Sequence, residues 1–449
     1  MTDLRARVIG AGLAGCEAAW QLAERGIRVE LWEMKPKKMT PAHRSHGFAE
    51  LVCSNSLRSD RTTNGVGLLK EELRRMGSLI LAAADATRVP AGSALAVDRD
   101  LFSAYVTDRI RSHPLITVIE EEVTALDDSV PTVVATGPLT ADALAGHIAE
   151  QVGGGQLHFF DAAAPIVDAA TVNMDIAYFA SRYDKGDADY LNCPMDEAQY
   201  NAFYDALISA EAAELHDFDR AELKVFEGCM PVEIMASRGR DTLRYGPLKP
   251  VGLRDPRTGR EAYAVVQLRR ENEAGTMYNL VGFQTHLRFP EQQRVFRMIP
   301  GLESAEFMRY GVMHRNTYLN SPEILEPTYA LRGRPNLFFA GQMTGVEGYI
   351  ESTGSGFVAG LNAARLILGE APVIFPRTTM IGAMAAYVSE GGMTGNFQPM
   401  NANFGILQPL PARVKGGKIA KYEVMAARAL AAFDELLPTV KPQNSPAVL

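Results

Sequence analysis

Apolar and polar residues follow two periods along this chain, and the switches between them mark its elements. Residues 4–33 read LRARVIGAGLAGCEAAWQLAERGIRVELWE. A short apolar strand closes at Ile9, three glycines follow, and from Leu13 to Glu24 the apolar residues fall at helical spacing. Gly26 stops that helix, and residues 28–32 (RVELW) predict a second strand ending at Glu33. Residues 132–137 (TVVATG) predict another strand, closed by Ala135, Thr136 and Gly137. Residues 337–365 predict a strand to Gly341, a glycine-rich turn, and a helix from Ser352 to Leu368.

Between these signals the pattern predicts a helix from Asp196 to Glu214, strands at 262–268 and 278–284, and a helix at 290–299. Further helical patterns occupy 379–390 and 418–436. Residues 49–60, AELVCSNSLRSD, fit neither period. They are too polar for a core strand and too rich in Ser and Asn for a helix interior. The expected fold is α/β: a Rossmann-like nucleotide-binding domain split by an inserted α/β or α+β substrate domain. The expected division is 1–175 and 331–440 for the two parts of the nucleotide domain, 176–330 for the insertion, and 441–449 for a flexible tail.

The glycines carry the first chemistry. Gly10, Gly12 and Gly15 form G-x-G-x-x-G between strand and helix, and Glu33 follows Gly10 by 23 residues. Gly10 allows the tight turn, Gly12 a close approach to a pyrophosphate, and Gly15 close helix–strand packing. The helix N-terminus offers free N–H groups to phosphate, and Glu33 suits ribose hydroxyls. Gly10, Ala11, Gly12, Leu13, Ala14, Gly15 and Glu33 are therefore expected to hold a dinucleotide. With the segments at 132–137 and 337–365, which add Gly341, Gly354 and Gly356, the pattern resembles the glutathione-reductase-like FAD superfamily. No second G-x-G-x-x-G opens a helix, so no separate nicotinamide domain is expected.

Composition narrows the class. In 449 residues, 47% are hydrophobic and 22% charged, enough to bury a sizeable core. No apolar run reaches the roughly 18 residues of a membrane span. The strand pattern starts at once, which leaves no room for a signal peptide. The four cysteines, Cys16, Cys53, Cys193 and Cys229, have no metal-ligand spacing, so a reduced, cytoplasmic protein with no metal is expected.

The net charge of −8 argues mildly against a polyanion partner, but its distribution is uneven. Residues 234–260 carry six Arg and one Lys against two Asp. This strip follows Cys229 in the turn-forming EGCMPVE, so an exposed thiol beside a phosphate-binding surface is expected. A second basic run, 35–46 (KPKKMTPAHRSH), leads to Cys53. Cys16 and Cys193 read as small packing residues.

The segments VIGAGLAGCEAAWQLAERG, LVCSNSLRSD, FEGCMPVEIMASRG, MHRNTYLNSP and FAGQMTGVEGYIESTGSG together resemble the folate- and FAD-dependent tRNA (uracil-5-)-methyltransferases, over nearly the whole chain. The resemblance implies methylation of C5 of the T-loop uridine of tRNA. The carbon comes from 5,10-methylenetetrahydrofolate and the reducing equivalents from NAD(P)H through FAD. It implies that Cys229 and Cys53 are the functional thiols, one of them adding to C6 of the uracil. His314 and Tyr349 are candidates for the folate or flavin, and Arg238, Arg240, Arg244 and Lys249 for tRNA. A plain FAD oxidoreductase, or another flavin-dependent tRNA-modifying enzyme, is the alternative.

Overall fold

Strand Arg5–Ile9 pairs in parallel with Arg28–Trp32 on one side and Thr132–Val134 on the other. That arrangement builds a six-stranded sheet. In spatial order its strands are Ala330–Leu331, Arg334–Phe339, Thr132–Val134, Arg5–Ile9, Arg28–Trp32 and Ile116–Ile119. The edge pair Ala330–Leu331 with Arg334–Phe339 is antiparallel, and the rest are parallel. Strand order reverses beside Arg5–Ile9, and a parallel sheet opens a ligand crevice at such a switch point. The computed structural model describes residues 4–441 apart from 41, 128, 153–155, 163, 185–187, 213–229, 271–274, 276, 312, 391–396, 398 and 413.

Helix Leu13–Ala23 lies against the sheet and against the long helix Tyr349–Leu368. Glycine sets their separation. A Cβ on Gly356 would lie 2.2 Å from the Ala14 carbonyl oxygen, and one on Gly360 2.7 Å from the Ala18 Cα. Gly15 closes onto the first turn, where a Cβ would meet the Gly10 carbonyl oxygen at 1.7 Å. Val8, Leu22, Leu31, Phe339, Phe357 and Leu361 fill the core around this pair.

A second six-stranded sheet runs Tyr178–Ala180, Tyr190–Met195, Ala264–Arg270, Met277–Leu280, Ile166–Asp168 and Phe307–Arg309, with antiparallel pairing throughout. Its strands begin at Ile166, ahead of the expected insertion start at 176. It has its own core, including Tyr200, Phe203, Phe283 and Phe296. Helix Glu197–Ile208 packs on it, opened by a capping box between Asp196 and Gln199. That helix stops at Ile208, short of the expected Glu214. Strands Gln156–Ala162 and Met313–Leu319 pair as a ribbon flanking the inserted unit.

The segment at 49–60 shows why neither period fitted. Residues 49–55 form no regular element, and Ser56–Ser59 is a short strand in a three-stranded sheet with Ala94–Val97 and Arg88–Val89. Its pairing is irregular, and Arg58 adopts φ 63°. No helix among the described residues is long and apolar enough to cross a membrane.

Candidate active site

The switch-point crevice widens into a cavity of about 530 Å³ between the nucleotide sheet and the second sheet. At one end Gly10, with φ 98°, turns the chain tightly out of its strand. Its Cβ position is occupied by the backbone of Ala135, so the Gly10–Gly12 loop and the Ala135–Gly137 loop touch. A Cβ on Gly12 would meet nothing within 4 Å, which leaves the loop open to a close ligand. Helix Leu13–Ala23 starts there with no side-chain cap and no acid in its first turn. Its first N–H groups and positive dipole end are therefore left to an anion.

Glu33, 8% exposed, closes this end. Its carboxylate accepts the Ala11 N–H at 2.8 Å and the Lys35 N–H at 3.0 Å. Lys35 also lines the cavity, and its ammonium donates to the Gly47 carbonyl at 2.6 Å. At the other end, Gly341 has φ 81° and its N–H donates to Ser355 Oγ at 2.7 Å. Helix Tyr349–Leu368 then opens on Gly348, φ 128°, also without a side-chain cap. Two uncapped helix N-termini thus reach one cavity. An elongated molecule with a pyrophosphate and a ribose fits this donor set.

Cys53 lines the same cavity and is half-buried. Tyr349 Oη accepts the N–H groups of Cys53 and Ser54 at 2.7 and 3.2 Å, which fixes the loop backbone at the thiol. Burial, then the neighbouring Cys53, pushes the Tyr349 phenol up, so it stays neutral. Cys16 and Cys193 are both fully buried, and burial pushes both thiols well above the usual range. A thiol held protonated is a poor nucleophile.

The loop's far side is held from the second sheet. Arg269 Nε donates to Asn55 Oδ1 at 3.3 Å, and its guanidinium also donates to Ser54 Oγ. Asn55 Nδ2 in turn donates to the Val97 and Arg270 carbonyls at 3.2 and 2.8 Å. Lys70 Nζ, buried, donates to the carbonyls of Arg58 and Ser59 at 3.2 and 2.6 Å. This grip holds Arg58 in its left-handed conformation, 3.6 Å from the Glu351 carboxylate. Among the described residues, no three His, Cys, Asp or Glu side chains gather as a metal site.

Comparison with known proteins places this geometry. The family model described as glucose inhibited division protein A matches residues 5–371. A protein of Geobacter sulfurreducens named methylenetetrahydrofolate–tRNA-(uracil-5-)-methyltransferase TrmFO is 61% identical over 434 residues, covering 96% of this chain and 99% of that one. Its namesake from Acetivibrio thermocellus is 60% identical over 428 residues, covering 95% and 97%. The chain belongs to the TrmFO family. A solved structure, Aquifex aeolicus GidA in crystal form I, shares the fold at TM-score 0.70 and 17% identity, covering 96% of this chain and 76% of that one.

Within this TrmFO-family site, the cavity gathers Gly10, Ala11, Gly12, Leu13, Ala14, Glu33, Gly341, Tyr349 and Cys53, all expected from sequence. Gly15, Gly354 and Gly356 lie outside it. Gly15 and Gly356 make close backbone contacts, and Gly354 faces Leu69. Cys229 is outside the described residues, while Met230, the next residue, lines the cavity. His314 falls in strand Met313–Leu319, and its side chain is outside the description.

The basic strip is partly spent on structure. Arg240 stacks over Tyr204 and donates to Asn201 and Asp205. Arg244 stacks over Tyr263, 3.6 Å from the ring centroid, and pairs with Asp241. Arg238 and Lys249 are exposed. The earlier basic run divides too: Lys37 and Lys38 pair with Glu121 and Glu122, while Lys35 turns inward. Pattern reading passed over Arg269 and Asn279. They lie in strands with no motif, and their cross-strand pairing exists only in the folded sheet.

Proposed function

We propose that the chain methylates C5 of the T-loop uridine of tRNA. The one-carbon unit comes from 5,10-methylenetetrahydrofolate, with FAD reduced by NAD(P)H. One observation carries this reading: Cys53, the half-buried thiol, lines the same cavity as Gly10, Gly12 and Glu33 of the dinucleotide signature. With Cys229 as a second thiol and the basic segment at 234–260, it makes a combination that a small-molecule oxidoreductase does not require.

Gly10, Gly12 and the start of helix Leu13–Ala23 would hold the FAD pyrophosphate, Glu33 the ribose, and the Gly341–Tyr349 turn the flavin end. Bound there, FAD would supply reducing equivalents to the one-carbon unit. The protein supplies thiols. Uracil C5 becomes nucleophilic when a thiolate adds to C6, and cysteine suits this because it attacks well and leaves again. Cys229 is assigned that attack, and Cys53, pinned by Tyr349, works on the flavin side or as the base that takes the C5 proton. The target base lies inside a folded loop and must be extruded to reach them. Exposed Arg238 and Lys249, with Tyr245 at 82% exposure on the same segment, offer a surface for the RNA backbone. His314 is assigned to the folate.

The test is transfer of labelled carbon from methylenetetrahydrofolate to a T-arm transcript, with labelled S-adenosylmethionine as the control donor. Transfer from the folate alone, lost in Cys53→Ala and Cys229→Ala while FAD is retained, is the expected result. Transfer from S-adenosylmethionine, or full activity in either variant, overturns the assignment.

A further inference from the structure

Two cavity-lining side chains on the inserted sheet have no task in the reading above. Arg269 and Asn279 are direct cross-strand partners in the antiparallel pair Ala264–Arg270 and Met277–Leu280, so their side chains share one face. Both line the cavity, Arg269 at 9% exposure and Asn279 at 2%. Among the described residues, Arg269 meets only the neutral acceptors Asn55 Oδ1 and Ser54 Oγ and forms no ion pair. The buried Asn279 amide nitrogen has no hydrogen-bond partner among the described residues.

Each is costly to leave so. A buried cation without a counter-charge and a buried amide without an acceptor both lose free energy relative to water. The missing partner for both is oxygen that carries, or gains, negative charge. The position of the pair says which oxygen. Arg269 is hydrogen-bonded to Ser54, beside Cys53, and Met230, which follows Cys229 in the sequence, lines the same cavity as Asn279. The pair stands beside the Cys53 loop, at the thiol that the reading above sets at the flavin or at the C5 proton.

We propose that Arg269 and Asn279 are the donor pair that receives the C4 oxygen of the target uracil. This rests on the uracil-methylation reading above. When thiolate adds to C6, the S–C6 bond forms and the C5–C6 π pair moves to C4–C5. The C4–O4 π pair moves onto oxygen, so the charge brought by the thiolate comes to rest there and the step needs no oxidant or reductant. That oxygen gains a full charge in the enolate, and donors already in place stabilise it more than they stabilise the ground state. The charge returns to the ring as C5 takes up the one-carbon unit. The pair also selects the base: cytosine presents an amino donor at C4, which two facing donors reject.

Methyl transfer to the T-arm transcript is measured for Arg269→Gln, Arg269→Lys and Asn279→Ala, with flavin content read from visible absorbance. Adduct formation with a 5-fluorouracil transcript is timed in parallel. Arg269→Gln is expected to lower kcat about 10²- to 10³-fold with the KM for methylenetetrahydrofolate unchanged, and to slow adduct formation equally. Arg269→Lys restores part of the rate. Asn279→Ala removes a nitrogen that bonds nothing among the described residues, so it keeps the fold and loses about tenfold or more in kcat. It carries the test if Arg269→Gln fails to fold. An unchanged kcat with a raised folate KM assigns the pair to the folate and overturns the proposal. Wild-type rates in both Asn279→Ala and Arg269→Lys overturn it too. An inactive wild type, by contrast, sinks the methylation reading itself.

Discussion

Gly356→Ala is the sharpest probe of how the nucleotide end is built. The added methyl would sit 2.2 Å from the Ala14 carbonyl oxygen, and 2.7 and 2.8 Å from the Ala14 Cα and carbonyl carbon. An ordinary contact begins near 3.4 Å, so the backbones must part by roughly 1.2 Å. All three atoms are backbone, and none can swing away as a flexible side chain would. Overpacking a core costs about 1–3 kcal/mol, and a backbone-on-backbone clash falls at the upper end. The two helices that must part are the two whose uncapped N-termini reach the cavity. Gly354→Ala, two residues earlier in the same helix, is the control. Its methyl would meet Leu69 Cδ1 at 3.5 Å, and replacing a mid-helix glycine favours the fold by about 0.5–1 kcal/mol. Thermal unfolding and bound flavin per chain are measured for both. Gly356→Ala should unfold earlier and purify with less flavin, while Gly354→Ala should match or exceed wild type in both. Wild-type Tm and flavin content in Gly356→Ala would refute the argument that this glycine sets the helix separation.

Other consequences are equally direct. In the native protein iodoacetamide should label Cys53 while Cys16 and Cys193 stay protected until unfolding, as peptide mapping will show; early labelling of Cys16 would contradict its burial. Burial raises the Glu72 carboxyl from 4.5 to about 8 while it accepts the Met380 and Ile381 N–H groups. The folded state then holds a proton that the unfolded state has lost, so Glu72 makes stability fall as pH rises from about 4.5 to about 8. Glu72→Gln should flatten that slope in urea melts taken across the window. For RNA binding, Arg238→Ala and Lys249→Ala should each reduce the slope of log K against log salt by about 0.7–0.9, whereas Arg240→Ala, whose guanidinium is already paired, should change it less.

The unit from Arg5 to Glu33 was legible in the sequence because every rule that shapes it is local. Apolar period sets the strands and helix, glycines set the turn, and the acid follows at the spacing a βαβ unit imposes. Helix Met380–Glu390 and strand Arg28–Trp32 were readable for the same reason. Gly354 and Gly356 misled in a simple way. A glycine near a nucleotide loop reads alike whether it faces a ligand or another helix, and only the helix pair distinguishes the two. Charge at 234–260 was visible, but not that Tyr204, Asp205 and Tyr263 consume Arg240 and Arg244.

By itself the sequence determined the nucleotide-binding half, the presence of an inserted unit, and which thiols merit attention. Only the tertiary structure decided how Cys53 is presented. Its loop has no periodic pattern of its own, and its conformation is imposed by Lys70, Tyr349 and Arg269, which lie 12, 296 and 215 residues from the groups they hold. Contacts at that separation leave no mark in local spacing, because folding alone brings the partners together.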